Sequence, residues 1–198
     1  KERMWLLQRC LPVCPTRPMD LYPIHELKPV WDLKIRRDFG QWDVVSIFNF
    51  KETEETEIDL RFEDIGLDAT DSYLVFDFWK QKFLGRKKGG LIATLKPKSN
   101  WLLAIHPDLG RPQFISTDRH VTQGATSVTA LKWNAKRNTL KGKVQLVAGE
   151  ATSLYFHIPK AWTFNEATTP KAQLQAKLLR GQLLKLTLNS DRAIESEF

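Results

Sequence analysis

The sequence predicts an all-β protein, an antiparallel two-sheet β-sandwich of roughly a dozen strands with little helix. Three observations carry this reading. Short runs of alternating apolar and polar residues recur along most of the chain at a spacing of ~8–12 residues. The gaps between them hold turn formers, as in Asp38-Phe39-Gly40, Lys88-Gly89-Gly90, the stretch 134–138 and Ala148-Gly149-Glu150. No helical period recurs between the runs, which argues against a βαβ architecture.

The elements follow in order. Residues 2–9 place Trp5, Leu6 and Leu7 among charges and suit one or two helical turns. Pro12, Pro15, Pro18, Pro23 and Pro29 then exclude regular helix and favour extended backbone. Residues 1–29 therefore read as a proline-rich linker that wraps a following domain, with Leu11, Val13, Met19, Leu21 and Tyr22 apolar but without a strand period. Residues 30–198 read as the sandwich. The run 30–37 puts Trp31, Leu33 and Ile35 on one face. The runs 42–50 and 73–79 are apolar on both faces, as strands covered on two sides are. The run 58–62 alternates cleanly, and further strands are expected at 91–95, 101–106, 113–117, 127–133, 139–147, 152–158, 173–179 and 182–188. Trp42, Val44, Ile47, Phe48, Leu74, Phe76 and Phe78 are the expected core.

Composition supports an ordinary globular chain. Its 198 residues are 42% hydrophobic and 27% charged, and a chain of that length buries roughly 70% of its unfolded surface. Neither cofactor nor metal is expected. Cys10 and Cys14 lie four residues apart without a nearby His, which does not make a zinc pattern. Two free thiols fit a reducing compartment, so a cytoplasmic location is expected over a secreted one. The net charge of +7 comes from 30 Lys and Arg against 23 Asp and Glu, but it is scattered. The densest basic runs, Arg86-Lys87-Lys88 and Lys141 with Lys143, lie beside glycines and read as solvated turns. No stretch approaches the ~20 apolar residues of a membrane-spanning helix. The start carries neither an initiator Met nor the apolar region of a signal peptide, and reads as a piece of something longer.

Catalytic patterns are missing. The sequence holds no nucleophile elbow, Walker loop, HExxH or dinucleotide fingerprint. His25, His106, His120 and His157 are dispersed, and alternation points His157 outward to the surface. Glu52, Glu54, Glu55 and Glu57 read as a solvated hairpin rather than the paired carboxylates of a glycosidase.

Two segments have the chemistry of a contact site. In the first, Asp77 shares a strand face with Tyr73 and Trp79, an acid between two rings, which suits either a sugar or a neighbouring domain. In the second, Ser116-Thr117-Asp118-Arg119-His120 runs into Val121-Thr122-Gln123-Gly124 on an expected loop. There Asp118, Arg119 and His120 are close enough to satisfy one another, and Gln123 extends the polar set. Both read as carbohydrate or interdomain contacts.

The same segments carry a family likeness. Arg17-Pro18 with Asp20-Leu21, Pro29-Val30-Trp31-Asp32-Leu33, Trp42-Asp43-Val44-Val45 with Phe48-Asn49, the stretch 73–79 with Phe83-Leu84-Gly85, and Pro112-Gln113-Phe114 to His120 with Gln123-Gly124 occur in one order. That order resembles the region after the (β/α)8 barrel in α-galactosidase-like (melibiase, raffinose-synthase-type) glycoside hydrolases. The hairpin at 133–142 and His157-Ile158-Pro159 extend the likeness, which covers roughly residues 10–160. The resemblance implies a non-catalytic accessory domain whose partner is the catalytic barrel of the same parent chain. It also implies that the catalytic Asp residues lie in that barrel, so no catalytic residue is assigned here. The alternative is a carbohydrate-binding module using exposed Trp residues. A basic nucleic-acid-binding β domain is the third reading, and neither nucleic acid nor membrane is an expected partner.

Overall fold

The computed structural model describes residues 2–11 and 28–198. The stretch expected to wrap the sandwich falls mostly on residues 12–27, with Cys14 and His25, and lies outside the described residues. The chain opens with helix α1 (Glu2–Arg9). Fourteen strands follow: β1 (Val30–Arg37), β2 (Gly40–Asn49), β3 (Thr56–Arg61), β4 (Ser72–Asp77), β5 (Lys82–Lys88), β6 (Gly90–Leu95), β7 (Ser99–Pro107), β8 (Gln113–Thr117), β9 (Val128–Asn134), β10 (Thr139–Leu146), β11 (Thr152–His157), β12 (Gln173–Leu179), β13 (Leu183–Asn189) and β14 (Ile194–Glu197). A 3-10 turn at Phe62–Ile65 interrupts them.

Every strand pair is antiparallel, and the all-β sandwich expected from the sequence is present. The strands lie in four hydrogen-bonded sheets, ordered β1-β2-β7-β4-β5, β12-β13-β11-β8, β14-β10-β9 and β3-β6. Three apolar cores hold the sheets together. The first joins Val45, Ile47, Tyr73, Val75, Leu103 and Ile105 of the five-stranded sheet to Leu60, Ala93 and Leu95 of β3 and β6. The second uses the opposite face, with Trp42, Val44, Leu74, Phe76, Leu102 and Ala104 meeting Ile115, Tyr155 and Leu183. The third lies beyond β11 and β13, where Phe114, Phe156, Leu184 and Leu188 meet Val128, Val144 and Leu146.

This layering explains the two strands that read as apolar on both faces. β2 and β4 are interior strands of a sheet covered on both sides, so neighbouring side chains enter different cores. Of the expected core, Trp42, Val44, Ile47, Leu74, Phe76 and Phe78 are buried. Phe48 is only half-buried and stacks on exposed Phe50, ring centroids 5.2 Å apart, because that end of β2 runs out past its cover.

Several local expectations are corrected. Arg86, Lys87 and Lys88 form the end of β5, and Lys141 and Lys143 lie on β10, so both basic runs are strand rather than turn. Arg86 forms an ion pair with the carboxylate of Asp108. The glutamates at 52–57 are not in a hairpin: β2 pairs with β1 and β7, and β3 leaves for a different sheet. His157 is buried, since β11 is interior and covered on both faces. Its ring packs on Phe83 at 5.2 Å, and burial pushes its pKa below the ordinary range despite nearby Asp108.

Strands β5 and β14 escaped the pattern for physical reasons. The pairing of β4 with β5 slips between Val75 and Phe76, and Gly85 takes a φ of +90° at the slip, which breaks the period of two. β14 is a four-residue strand, half of it charged. It ends beside Gly142, where main-chain bonds of 2.9 and 3.0 Å join that glycine to Phe198. A Cβ on Gly142 would run into the tip of the Phe198 ring and into Leu131, so a side chain there would require both to shift.

Candidate functional site

The site begins on helix α1. Trp5 and Arg9 are one turn apart on α1 and so share a face, and the Arg9 guanidinium lies over the Trp5 ring at 4.9 Å. Trp5 packs on Trp79, centroids 6.3 Å apart at an interplanar angle of 59°. Arg9 is 5% exposed. Its Nη1 donates to Glu150 Oε1 at 2.7 Å, and its main-chain carbonyl accepts from the Val121 amide at 2.9 Å. Arg119 reaches the other oxygen of Glu150 at 3.4 Å. Glu150 thus gathers two guanidinium groups, one from the helix and one from the loop after β8. Met4, Leu6, Leu7 and, just past the helix, Leu11 stay exposed.

The two segments singled out in the sequence therefore both touch α1, one at Trp5 and the other at Arg9. Within the first segment, the expected face is not formed. β4 stops at Asp77 and the chain turns, so Trp79 packs with Phe76 and Phe78 on one side of the sheet while Tyr73 enters the core on the other. Asp77 is 1% exposed, and its Oδ1 accepts from the Lys80 amide at 3.1 Å. Its Oδ2 lies 3.6 Å from Lys80 Nζ. The Asp77 carboxylate caps the turn that carries Trp79. Tyr73 meets Phe62 edge-on at 5.0 Å, far from any ring clamp around the acid.

In the second segment, Ser116 and Thr117 belong to β8 rather than to the loop. Asp118, Arg119 and His120 do not satisfy one another. The Asp118 carboxylate accepts from the Ser153 amide at 2.8 Å, and its own amide donates to the Ser153 carbonyl at 3.1 Å. His120 is 2% exposed, and its Nδ1 accepts from the Thr122 amide at 3.1 Å. Gln123 is fully buried with a φ of +53° and accepts from Ser116 Oγ at 2.8 Å. The loop turns inward and stitches β8 to β11, leaving Arg119 as its partly exposed charge. Burial separates neighbours in sequence here, because a chain that folds onto the core sends successive side chains to different elements.

Arg9, Glu150 and Trp5 complete the arrangement, and the sequence reading assigned none of them to a site. Their signal is weak: a lone Arg on a short helix and a Glu in a turn are ordinary on their own. A second charged group lies on the five-stranded sheet. Lys34 Nζ donates to Asp43 at 2.6 Å and to the Ile65 carbonyl at 2.5 Å, with Asp32 at 3.0 Å. Burial raises the pKa of both carboxylates above the ordinary value, against the pull of Lys34. Among the described residues, no three metal-binding side chains cluster, and no helix is long and apolar enough to cross a membrane.

Residues 38–105 match the family model of the alpha galactosidase C-terminal beta sandwich domain. The matched stretch runs from the turn before β2 almost to the end of β7, and so holds β2 to β6, the whole of the β3–β6 sheet included. Searches of curated proteins and of solved structures gave no match. The likeness read from the residues is supported over this stretch.

Proposed function

We propose, from a chain whose residues 38–105 match the C-terminal β-sandwich of α-galactosidases, that this is a non-catalytic accessory domain that packs on and stabilises a (β/α)8 catalytic barrel of the same parent chain. The family match is the observation that carries the reading. Helix α1 supplies the docking element. Trp5 and Arg9 fix it to the sandwich, while Met4, Leu7 and Leu11 form an outward apolar stripe, an arrangement suited to a neighbouring domain. The polar loop at 118–123 supports the helix from beneath rather than meeting the barrel itself. Glycoside hydrolysis needs two carboxylates ~5–10 Å apart around one bond. The buried carboxylates seen here are each engaged with a lysine or a main-chain amide.

Two assays test the proposal. The 198 residues alone should not turn over an aryl α-galactoside. In the full parent, Met4→Ser with Leu7→Ser should lower thermal stability and leave the catalytic rate constant of the remaining folded enzyme unchanged. Turnover by the isolated chain, or a parent indifferent to both serines, would overturn it.

A further inference from the structure

The four-stranded sheet ends on β12, and this edge differs from others in the fold. β12 pairs with β13 in an antiparallel ladder that keeps its register from Gln173 to Leu179. Among the described residues no strand lies on its other side, and outside that ladder residues 173–179 make no hydrogen bond or ion pair. A row of main-chain N–H and C=O groups is therefore free to pair with a further strand. Edges are ordinarily blunted by charge or by a bulge. β1 is half charged, and β5 is mostly basic with a slip in its ladder. β12 has neither protection, with Lys177 as its one charge.

The period of two sorts the side chains of this edge. Leu174, Ala176 and Leu178 share one face, opposite Leu188, Leu186 and Leu184 of β13, which are buried in the third core. The β12 residues carry that apolar face out beyond its cover. Leu174 is half-buried, Ala176 is exposed and Leu178 is 56% exposed.

The other face is cationic. Lys177 stands directly opposite Lys185, and like charges so placed destabilise a sheet. Lys185 Nζ lies 5.7 Å from the centre of the Tyr155 ring. Neither ammonium has a carboxylate partner among the described residues. A strand that completes this edge must therefore alternate, with apolar side chains beside Leu174, Ala176 and Leu178 and carboxylates beside the two lysines. A second copy of β12 would bring only more ammonium groups to the charged face.

We propose that β12 is a docking edge that takes up an extended acidic segment of a partner protein as a fifth strand. Main-chain pairing supplies the affinity, and the apolar stripe and the two lysines select the sequence. The inference uses neither α1 nor residues 38–105 and does not rest on the accessory-domain reading.

The test titrates the intact 198-residue chain with a fluorescent peptide of alternating glutamate and valine, as long as β12, and with its lysine–valine counterpart. The acidic peptide should bind and the basic one should not. Amide hydrogen exchange separates a fifth strand from loose attraction to lysines. Alternate amides of β12, those not bonded to β13, should slow severalfold with the acidic peptide present. Lys177→Glu changes an exposed, unpaired side chain, and should weaken the acidic peptide about tenfold and admit the basic one. If that variant does not fold, the wild-type preference and the exchange pattern decide the matter. No binding of the acidic peptide up to about 1 mM would overturn the proposal. So would equal affinity for the two peptides, unchanged exchange along β12, or a dimer of the chain paired through β12.

Discussion

Arg9 and Glu150, 141 positions apart in sequence, meet through a 2.7 Å charge-assisted hydrogen bond that fastens the first helix to the turn before β11. The Arg9 side chain is 6% exposed and that of Glu150 28%. The bond therefore sits where water screens it only in part.

That asymmetry sets the first prediction. Glu150→Ala strands a buried guanidinium and should cost roughly 1–3 kcal/mol in urea unfolding. Arg119→Ala removes a longer contact on a more exposed group and should cost less than about 1 kcal/mol. Equal losses for the two variants would show that Arg9 does not depend on Glu150.

Trp5→Ala should release α1 without unfolding the sheets. The Trp5–Trp79 contact is worth about 0.5–1.5 kcal/mol beyond its burial. The Val121 amide, which donates to the Arg9 carbonyl, reports on the loss. Its hydrogen exchange should accelerate at least severalfold, while amides of β2 and β7 keep their rates. Unchanged exchange at Val121 would mean that the helix is held without Trp5.

Phe76 is 1% exposed and packs on Tyr155 with centroids 4.8 Å apart. It thereby ties β4 to β11. Truncation to Ala should cost ~3–5 kcal/mol, read from the midpoint of denaturant unfolding at constant slope. A loss near 1 kcal/mol would make β4 peripheral, against its place in the sheet.

Acid should weaken the fold through His106. Burial lowers its folded pKa to about 3, well below the ordinary 6.5. The unfolded chain therefore takes up a proton as pH falls through 6.5, and the folded chain does not until about 3. The stabilising contribution is whole above 6.5 and drains away as the pH drops through that window. Its slope approaches ~1.4 kcal/mol per pH unit. Wild type should lose roughly 2 kcal/mol more than His106→Phe between pH 7 and 5. Parallel pH profiles for the two proteins would show that the ring protonates freely in the fold.

The fold was legible where one strand met one pattern. Residues 30–37, 113–117 and 173–179 were bounded in the sequence as they occur in β1, β8 and β12. The apolar runs of β2 and β4 announced a sheet covered on both faces, and the cores show why. The same logic misled at His157, because alternation was read there as a single buried face although β11 lies between two layers. For the candidate site, the two segments read from the sequence both touch α1, but their side chains take other partners than the local pattern suggests. Where β4 ends decides which core Trp79 joins, and that depends on a carboxylate capping one turn. Arg9 with Glu150 was out of reach, since long-range pairing leaves no local period to read.

The cores also divide along the chain. The buried members of the first run from Val45 to Ile105, and those of the third from Phe114 to Leu188. The buried members of the second come from both stretches, with Trp42 to Ala104 on one side and Ile115 to Leu183 on the other. During synthesis the earlier stretch emerges with everything its own core requires. Trp42, Val44, Leu74 and Phe76 must then wait, uncovered, until the later strands leave the ribosome. At synthesis rates of ~5–20 residues per second that interval lasts several seconds. A chaperone that recognises apolar sheet surface has its target there, and a stalled nascent chain would be most prone to aggregate just after β7 appears.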